Sequence, residues 1–469
     1  MTTPKIYVTI RMYRLENLGD CFLIKLKKDN ILKYIMIDCG TLKTSSDSRL
    51  IEVVQHIKSE TNGHLDILIG THQHQDHLSG FKWAKELFDS MTFGEVWLSW
   101  LDNPDDNMAQ SLGEGLSKAK KKFKEAKELV NNLAINTEMS DFLNHLSEFE
   151  GDYENDLLNA DNEPKTPREA TDMLRTWGGK NIKYKNPGDI KKFDDFGDDF
   201  KIYVLGPPKN YESLSNMDPD NTESYDHKLD RKSNNLGVML TALKMKKQLK
   251  TNAAYIDEDL KCEINFPFEQ NYSVKEGSNE EKIDFLEYNN ENKKWRIISQ
   301  EWLNELSSMA LYLDSYTNNT SLAIAIELGD SKVLLFPADA QTGNWQSWDN
   351  VKLENGENID MKKLYKNTVF YKVGHHGSHN GTLKAGLEAM TNKDLVAMIP
   401  AYEEIALKNK KWIMPAKNLH KRLLELTNGR VLRCDFGIDP NGSNENNPVW
   451  LNLQKPIVTD MYIEYTIQA

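Results

Sequence analysis

The segment His72-Gln73-His74-Gln75-Asp76-His77 places four candidate metal ligands within six residues, and three of the chain's eleven histidines fall there. Imidazole and carboxylate together suit zinc, manganese or iron, and the absence of thiolates argues against a closed structural zinc site. With His72 and His74 two residues apart, an extended turn lets both face one ion while Asp76 and His77 face a second. Two ions about 3.5–4 Å apart clamp the attacking and leaving oxygens of a phosphoester or acyl substrate. Asp339 ends the run Leu334-Leu335-Phe336-Pro337-Ala338-Asp339. Alone it is an ordinary loop aspartate, but a carboxylate at a strand end can also bridge two cations. His375 and His376 follow another apolar run. One of them is expected to ligate metal and the other to support a ligand or contact substrate, and spacing does not decide between them. Asp38 precedes Gly40 at the end of a third run, where it either caps a turn or orients a ligand histidine.

These residues need strands to deliver them. Ile6 to Leu15 and Cys21 to Leu26 read as strands, followed by the short run Tyr34 to Ile37 and a helix over Ser48 to Ser59 with Ile51, Val54 and Ile57 on one face. Asp66 to Thr71 is a buried-strand signal running directly into the histidine cluster. Further strands are expected at Asn181–Lys185, Asp199–Leu205, Ser321–Leu328, Lys332–Phe336, Thr368–Val373, Leu395–Pro400 and Arg430–Cys434, with an amphipathic helix at Lys417–Leu426. Two polar intervals interrupt this order. Residues 107–175, with lone His145, read as a solvated helical insertion. Residues 211–317 read as a second, weakly periodic insertion, with a helix at Glu301–Leu313 and a stretch at Asn216–Lys232 expected to be flexible. The expected division is thus 1–106, 107–175, 176–210, 211–317 and 318–469, with the core halves at the two ends forming two β-sheets sandwiched between helices.

The ordered set Ile37-Asp38-Cys39-Gly40, His-x-His-x-Asp-His, strand-Asp and strand-His resembles the metallo-β-lactamase superfamily. More closely, the chain resembles the metallo-hydrolase domain of competence DNA-uptake proteins (ComEC-like). The pieces that carry this are Gly19-Asp20, Val204-Leu205-Gly206-Pro207, Asn318-Asn319-Thr320-Ser321-Leu322, Lys372-Val373-Gly374-His375-His376-Gly377-Ser378, and Pro415 followed by a helix and Arg433-Cys434-Asp435. The resemblance implies an α/β fold with a four-layer αββα sandwich. It also implies two divalent metal ions, Zn2+ or Mn2+, and hydrolysis by a hydroxide bound between them, with Asp76 and His376 catalytic. It places Asp38, Asn319, Lys372, Ser378 and His379 around the ligands or against substrate. Three departures stand out. No histidine follows the strand ending at Gly206-Pro207-Pro208 (His227 lies in polar sequence with no strand before it), Ala338-Asp339 stands where Gly-Asp is usual, and Met414 stands where a histidine is common.

For the ComEC-like branch the implied reaction is phosphodiester cleavage of DNA or nucleotides, with Lys372 or Lys384 available to meet phosphate. Hydrolysis of an ester, lactone or thioester is the alternative. A third reading is an effector or toxin component acting with a protein partner docked on 107–175 or 211–317. The net charge of −13 disfavours long polyanions unless a basic cleft exists, and small nucleotides suffer less from it. Cys21, Cys39, Cys262 and Cys434 are widely spaced and read as buried small hydrophobes, which with the lack of an apolar leader predicts a cytoplasmic protein. No run of about 18 apolar residues predicts a membrane span.

Overall fold

The structure is a computed structural model that describes residues 6–42, 47–133, 143–144, 167–217, 219, 222–225, 311–329, 332–410, 412–442, 450 and 453–469. The predicted features at His145, His227 and Cys262, most of the 211–317 interval and most of the 301–313 helix lie outside these residues. The chain divides into two compact units. The first is Met1–Gly113, Ser147–Leu229 and Asp314–Ala469, and the second is Glu114–Leu146 with Asp230–Leu313. In the second unit the described residues are chiefly helical, in the part from Glu114 onward of the helix Asn107–Leu133.

The first unit carries two eight-stranded mixed sheets flanked by helices. In chain order the strands are β1 (Ile6–Tyr13), β2 (Cys21–Lys28), β3 (Ile31–Cys39), β4 (His64–Ile69), β5 (Thr92–Ser99), β6 (Ile182–Lys185), β7 (Ile190–Lys191), β8 (Phe200–Val204), β9 (Ile324–Leu328), β10 (Lys332–Phe336), β11 (Thr368–Lys372), β12 (Val396–Ile399), β13 (Val431–Arg433), β14 (Gly437–Ile438), β15 (Ile457–Val458) and β16 (Tyr462–Gln468). One sheet has the order β15-β16-β1-β2-β3-β4-β5-β6, the other β14-β13-β12-β11-β10-β9-β8-β7. In each, an antiparallel portion gives way to parallel strands, β3 to β6 in one and β10 to β13 in the other.

Period-two alternation explains the layering. Ile35 and Ile37 of β3 join a core that also contains Ile324 and Ile326 of β9 and Phe370 of β11, so this cluster lies between the sheets. Tyr34 and Met36, one residue out of phase, pack instead with Val53, Val54 and Ile57 of helix α1 (Asp47–Glu60) and Leu78 and Phe81 of helix α2 (Gln75–Trp83). Ala325, Leu335, Tyr371 and Ala397 likewise face helices on the far side of the second sheet, including Leu419 and Leu423 of Lys417–Leu426. Each strand named in the sequence reading that falls on described residues forms within a few residues of its expected limits. β5, β16 and the two-residue strands β7, β14 and β15 escape that reading. Moreover β16 extends the first sheet by pairing with β1, with β15 at its edge, so the C-terminal stretch does not belong wholly to the second sheet. Among the described residues no helix is long and apolar enough to cross a membrane.

Candidate metal centre

Every predicted ligand lies at or just beyond the carboxyl end of a parallel strand, where an open α/β sheet presents its loops. Asp38 is the penultimate residue of β3, the histidine cluster follows β4, Asp339 follows β10 and the histidine pair follows β11. Asp38 reaches the centre through a bulge. Cys21 pairs with Cys39 while Phe22 pairs with Ile37, so Asp38 is the extra residue, at φ 55°. Its fully buried carboxylate accepts from the Thr71 amide at 2.8 Å, from Thr71 Oγ1 at 2.7 Å and from His77 Nδ1 at 2.8 Å. Gly40 makes room for this contact, because a Cβ there would stand 2.4 Å from the backbone of His77.

With Nδ1 donating to Asp38, His77 presents the lone pair of Nε2, 3.1 Å from Asp339 Oδ2. His376 is fixed in the same way. Its Nδ1 donates to the Pro400 carbonyl at 2.8 Å, which leaves Nε2 2.8 Å from Asp76 Oδ2. The cross approaches, His77 to Asp76 and His376 to Asp339, are both 3.8 Å. These four buried donor atoms all lie within 4.8 Å of one another. Ligands about 2.0–2.1 Å from a tetrahedral cation lie roughly 3.3–3.4 Å apart, in the middle of these separations. Asp76 Oδ1 is buried and makes no hydrogen bond among the described residues, as expected of an oxygen reserved for something other than protein. The donor set therefore fits a metal ion.

The electrostatics agree. Burial alone would push His77 and His376 toward the neutral form, yet both lie above the ordinary histidine range. For His77 the carboxylates of Asp339, Asp20, Asp76 and Asp38 outweigh burial, and for His376 those of Asp339, Asp76 and Asp20 do so. Burial likewise opposes ionisation of Asp339 and Asp76. His77, Lys372 and His376 hold Asp339 well below the usual carboxylate range, and His77 and His376 depress Asp76. The cage attracts positive charge.

His72 and His74 adjoin this group, the His72 and His77 rings lying 4.1 Å apart. Thr71 Oγ1 donates to Asp38 and so accepts from His72 Nδ1 at 3.0 Å, which turns His72 Nε2 toward His74 Nδ1 at 3.2 Å. Burial first, then His77 and His74, hold His72 well below the ordinary histidine range. On the outer side of His74, Nε2 stands 3.9 Å from Asp314 Oδ1.

The remaining predicted residues take other positions. His375 lies outside the cluster: its Nδ1 faces Asn380 Oδ1 at 3.3 Å and its Nε2 faces Asn318 Nδ2 at 3.4 Å, with burial pushing it down to about 4. Ser378 donates to the same Asn380 oxygen, and the His379 carbonyl accepts from Ser224. Among the described residues the Asn319 side chain bonds only backbone, the carbonyls of Ser213, Leu214 and Asn216 and the amides of Gln341 and Asn344, so it braces the loop after Asp339. Lys372 corrects the expectation of a phosphate contact. It is buried, and its three N–H donors go to Asp20 Oδ2 at 2.6 Å, the Ala338 carbonyl at 3.0 Å and Asp339 Oδ1 at 3.1 Å.

Sequence reasoning gave no role to Asp20, Thr71, Ser321 or Pro400. Asp20 donates its amide to the Asp76 carbonyl and accepts at its own carbonyl from Gly40, tying two loops together. Ser321 Oγ accepts from the Asp339 amide. Gly19-Asp20 and Thr320-Ser321 lie in recognised motifs, but nothing in their local sequence distinguishes a brace from a ligand. Pro400 acts through its carbonyl, which no side-chain pattern reveals. Comparison with protein-family models and with curated protein sequences finds no match to this chain.

Proposed function

We propose that this chain is a metal-dependent hydrolase with the four-layer αββα architecture of the metallo-β-lactamase superfamily, acting on phosphodiesters of nucleic acid or nucleotides. The observation that carries the reading is the tethering of His77 and His376. Each is held through Nδ1, by Asp38 and by the Pro400 carbonyl, so that each aims Nε2 at one point shared with Asp76 and Asp339. Histidines that ligate metal are commonly fixed through their other nitrogen in this way. Two adjacent sheets with a site at the carboxyl ends of their parallel strands, and the ordered motifs that resemble the ComEC-like branch, support the fold and the substrate class.

On this reading His72, His74, Asp76, His77, Asp339 and His376 hold two divalent cations, zinc or manganese. When bound, such ions supply Lewis acidity toward a phosphoryl oxygen and lower the pKa of water. The chain's own contribution is placement. Asp76 Oδ1, which makes no hydrogen bond among the described residues, accepts a proton of the attacking water and fixes its orientation. Lys372 and the His375 amide hold Asp339 Oδ1, keeping Oδ2 toward the centre. Burial of the whole group excludes bulk water and strengthens each of these interactions.

The test is incubation of the metal-supplemented protein with single- and double-stranded DNA, RNA, cyclic dinucleotides and a phosphodiester chromogen, beside ester, lactone and thioester substrates. Turnover confined to the phosphodiesters supports the proposal. Turnover of esters or lactones without any phosphodiester refutes the substrate class, and no turnover of any substrate refutes the hydrolase.

A further inference from the structure

Asn318 carries a polar atom that the fold leaves without a hydrogen bond. Its side chain is buried, and its Nδ2 stands 3.3 Å from Asp314 Oδ2 and 3.4 Å from His375 Nε2. The amide can face only one way. A carboxylate offers no proton, so the nitrogen and not the oxygen must meet Asp314. His375 makes the same demand. Its Nδ1 donates to Asn380 Oδ1, an oxygen that also accepts from Ser378 Oγ, and a proton on Nδ1 leaves Nε2 an acceptor. Both N–H groups of Asn318 are thereby used. Its Oδ1 is left as a buried acceptor that makes no hydrogen bond among the described residues. The residues that fix it reach the metal centre at two points: Asp314 Oδ1 lies 3.9 Å from His74 Nε2, and the His375 ring lies 6.1 Å from that of His376. An acceptor held and desolvated at that place is destabilising unless something bound there donates to it.

Resting on the phosphodiesterase reading above, we propose that Asn318 Oδ1 accepts a hydrogen bond from the ribose 2′-hydroxyl beside the scissile phosphate, so that the site selects ribonucleotide over deoxyribonucleotide substrates. The oxygens of a phosphodiester only accept, and they cannot satisfy another acceptor. The donor nearest to phosphorus in a nucleic acid is the 2′-hydroxyl, on the carbon next to the esterified 3′ oxygen, and DNA lacks it. A site built around a substrate hydroxyl rejects the analogue without one, because the buried partner then stays unpaired. Asp314 is here a positioning residue: by engaging the nitrogen of the amide it turns the oxygen toward substrate.

The experiment compares oligouridylates carrying hydroxyl, hydrogen or fluorine at the 2′ carbons, with the metal-loaded parent, Asn318→Leu and Asp314→Asn. Fluorine nearly keeps the size of the hydroxyl and removes the donor. The parent's kcat/KM is expected to favour the hydroxyl over the other two by about 10- to 100-fold, the penalty of leaving a buried acceptor unpaired. Asn318→Leu removes the acceptor and should bring the ratio close to one. Asp314→Asn keeps Asn318 but frees its amide to turn, and should lower the ratio in the same direction, which decides the matter if Asn318→Leu does not fold. Calorimetric titration of the same oligonucleotides into Asp76→Asn, in which turnover is slowed, reads the preference as a ratio of Kd values. Equal rates on all three in the parent would overturn the inference and leave the phosphodiesterase standing. So would a preference that persists in the folded variants, as it must if the 2′-hydroxyl itself attacks phosphorus, or one that follows the base and not the sugar when oligoadenylates are used. Turnover of esters or lactones with none of the oligonucleotides would sink the proposed function, and the inference with it.

Discussion

Asp38 offers a direct test of whether the tether on His77 matters. In Asp38→Asn the shape is kept, but the side chain offers one acceptor where the carboxylate offered two. Thr71 N, Thr71 Oγ1 and His77 Nδ1 all donate to Asp38, so an amide nitrogen facing His77 demands the opposite tautomer and puts the proton on Nε2. That nitrogen then cannot ligate. Loss of such a tether costs roughly 10- to 100-fold in metal affinity, or about 1.4–2.7 kcal/mol. Stability without metal should respond in the other direction. Burial raises the Asp38 pKa despite His77. A carboxylate whose folded pKa exceeds its unfolded value, near 4, costs stability above that pH, so the amide should leave the chelated protein as stable as the parent or more so. The assay pairs zinc titration with thermal melts in chelator and in excess zinc. The expected result is an unchanged or higher Tm in chelator and a smaller zinc-induced rise, because ligand stabilisation follows the logarithm of affinity. Parental zinc affinity in a folded Asp38→Asn protein would refute the tethering argument.

Further outcomes follow from the same geometry. His376→Ala should lose tight metal binding, while His375→Ala, whose ring bonds Asn380 and Asn318, should keep the affinity within a few-fold; metal content after dialysis separates them. Gly40→Ala forces a Cβ to within 2.4 Å of the His77 backbone, and overpacking of this kind costs about 1–3 kcal/mol, read as a fall in denaturant midpoint together with weakened zinc binding. Asp439 lies below the ordinary carboxylate range because His420 and the Asn441 amide outweigh burial. Its folded pKa is thus lower than its unfolded one. The stability it adds is present above about pH 4 and lost as pH falls through the folded value, so Asp439→Asn should flatten the acid limb of the pH–stability curve.

How far the sequence reached depended on range. Strands such as Lys332–Phe336 and the helix Lys417–Leu426 announce themselves through local apolar runs and helical periodicity, and both form where expected. The pairing of β16 with β1 joins residues about 450 or more apart, and no local pattern encodes such a partner. The candidate ligand types were legible because His72 to His77 crowd into one turn. The choice of His376 over His375 was not, since adjacent residues share every sequence-level property. It is made by backbone: both have positive φ, and only the second points its Nδ1 at the Pro400 carbonyl. Lys372 misled for a related reason. A lysine beside ligand histidines suggests phosphate, but its position at the end of a strand buried on both faces turns it inward to Asp20 and Asp339.

The central claim, that these residues hold metal in order to hydrolyse a phosphodiester, is tested most directly by one comparison. The rate on a phosphodiester chromogen is measured for the parent and for Asp76→Asn, each stripped by chelator and then reloaded with zinc or manganese, with bound metal quantified in the same samples. No activity is expected in the stripped parent, with recovery on reloading, and a loss of about two orders of magnitude or more in reloaded Asp76→Asn. A stripped parent that retains its rate would contradict it, as would an Asp76→Asn protein that carries the parental metal content and turns over at the parental rate.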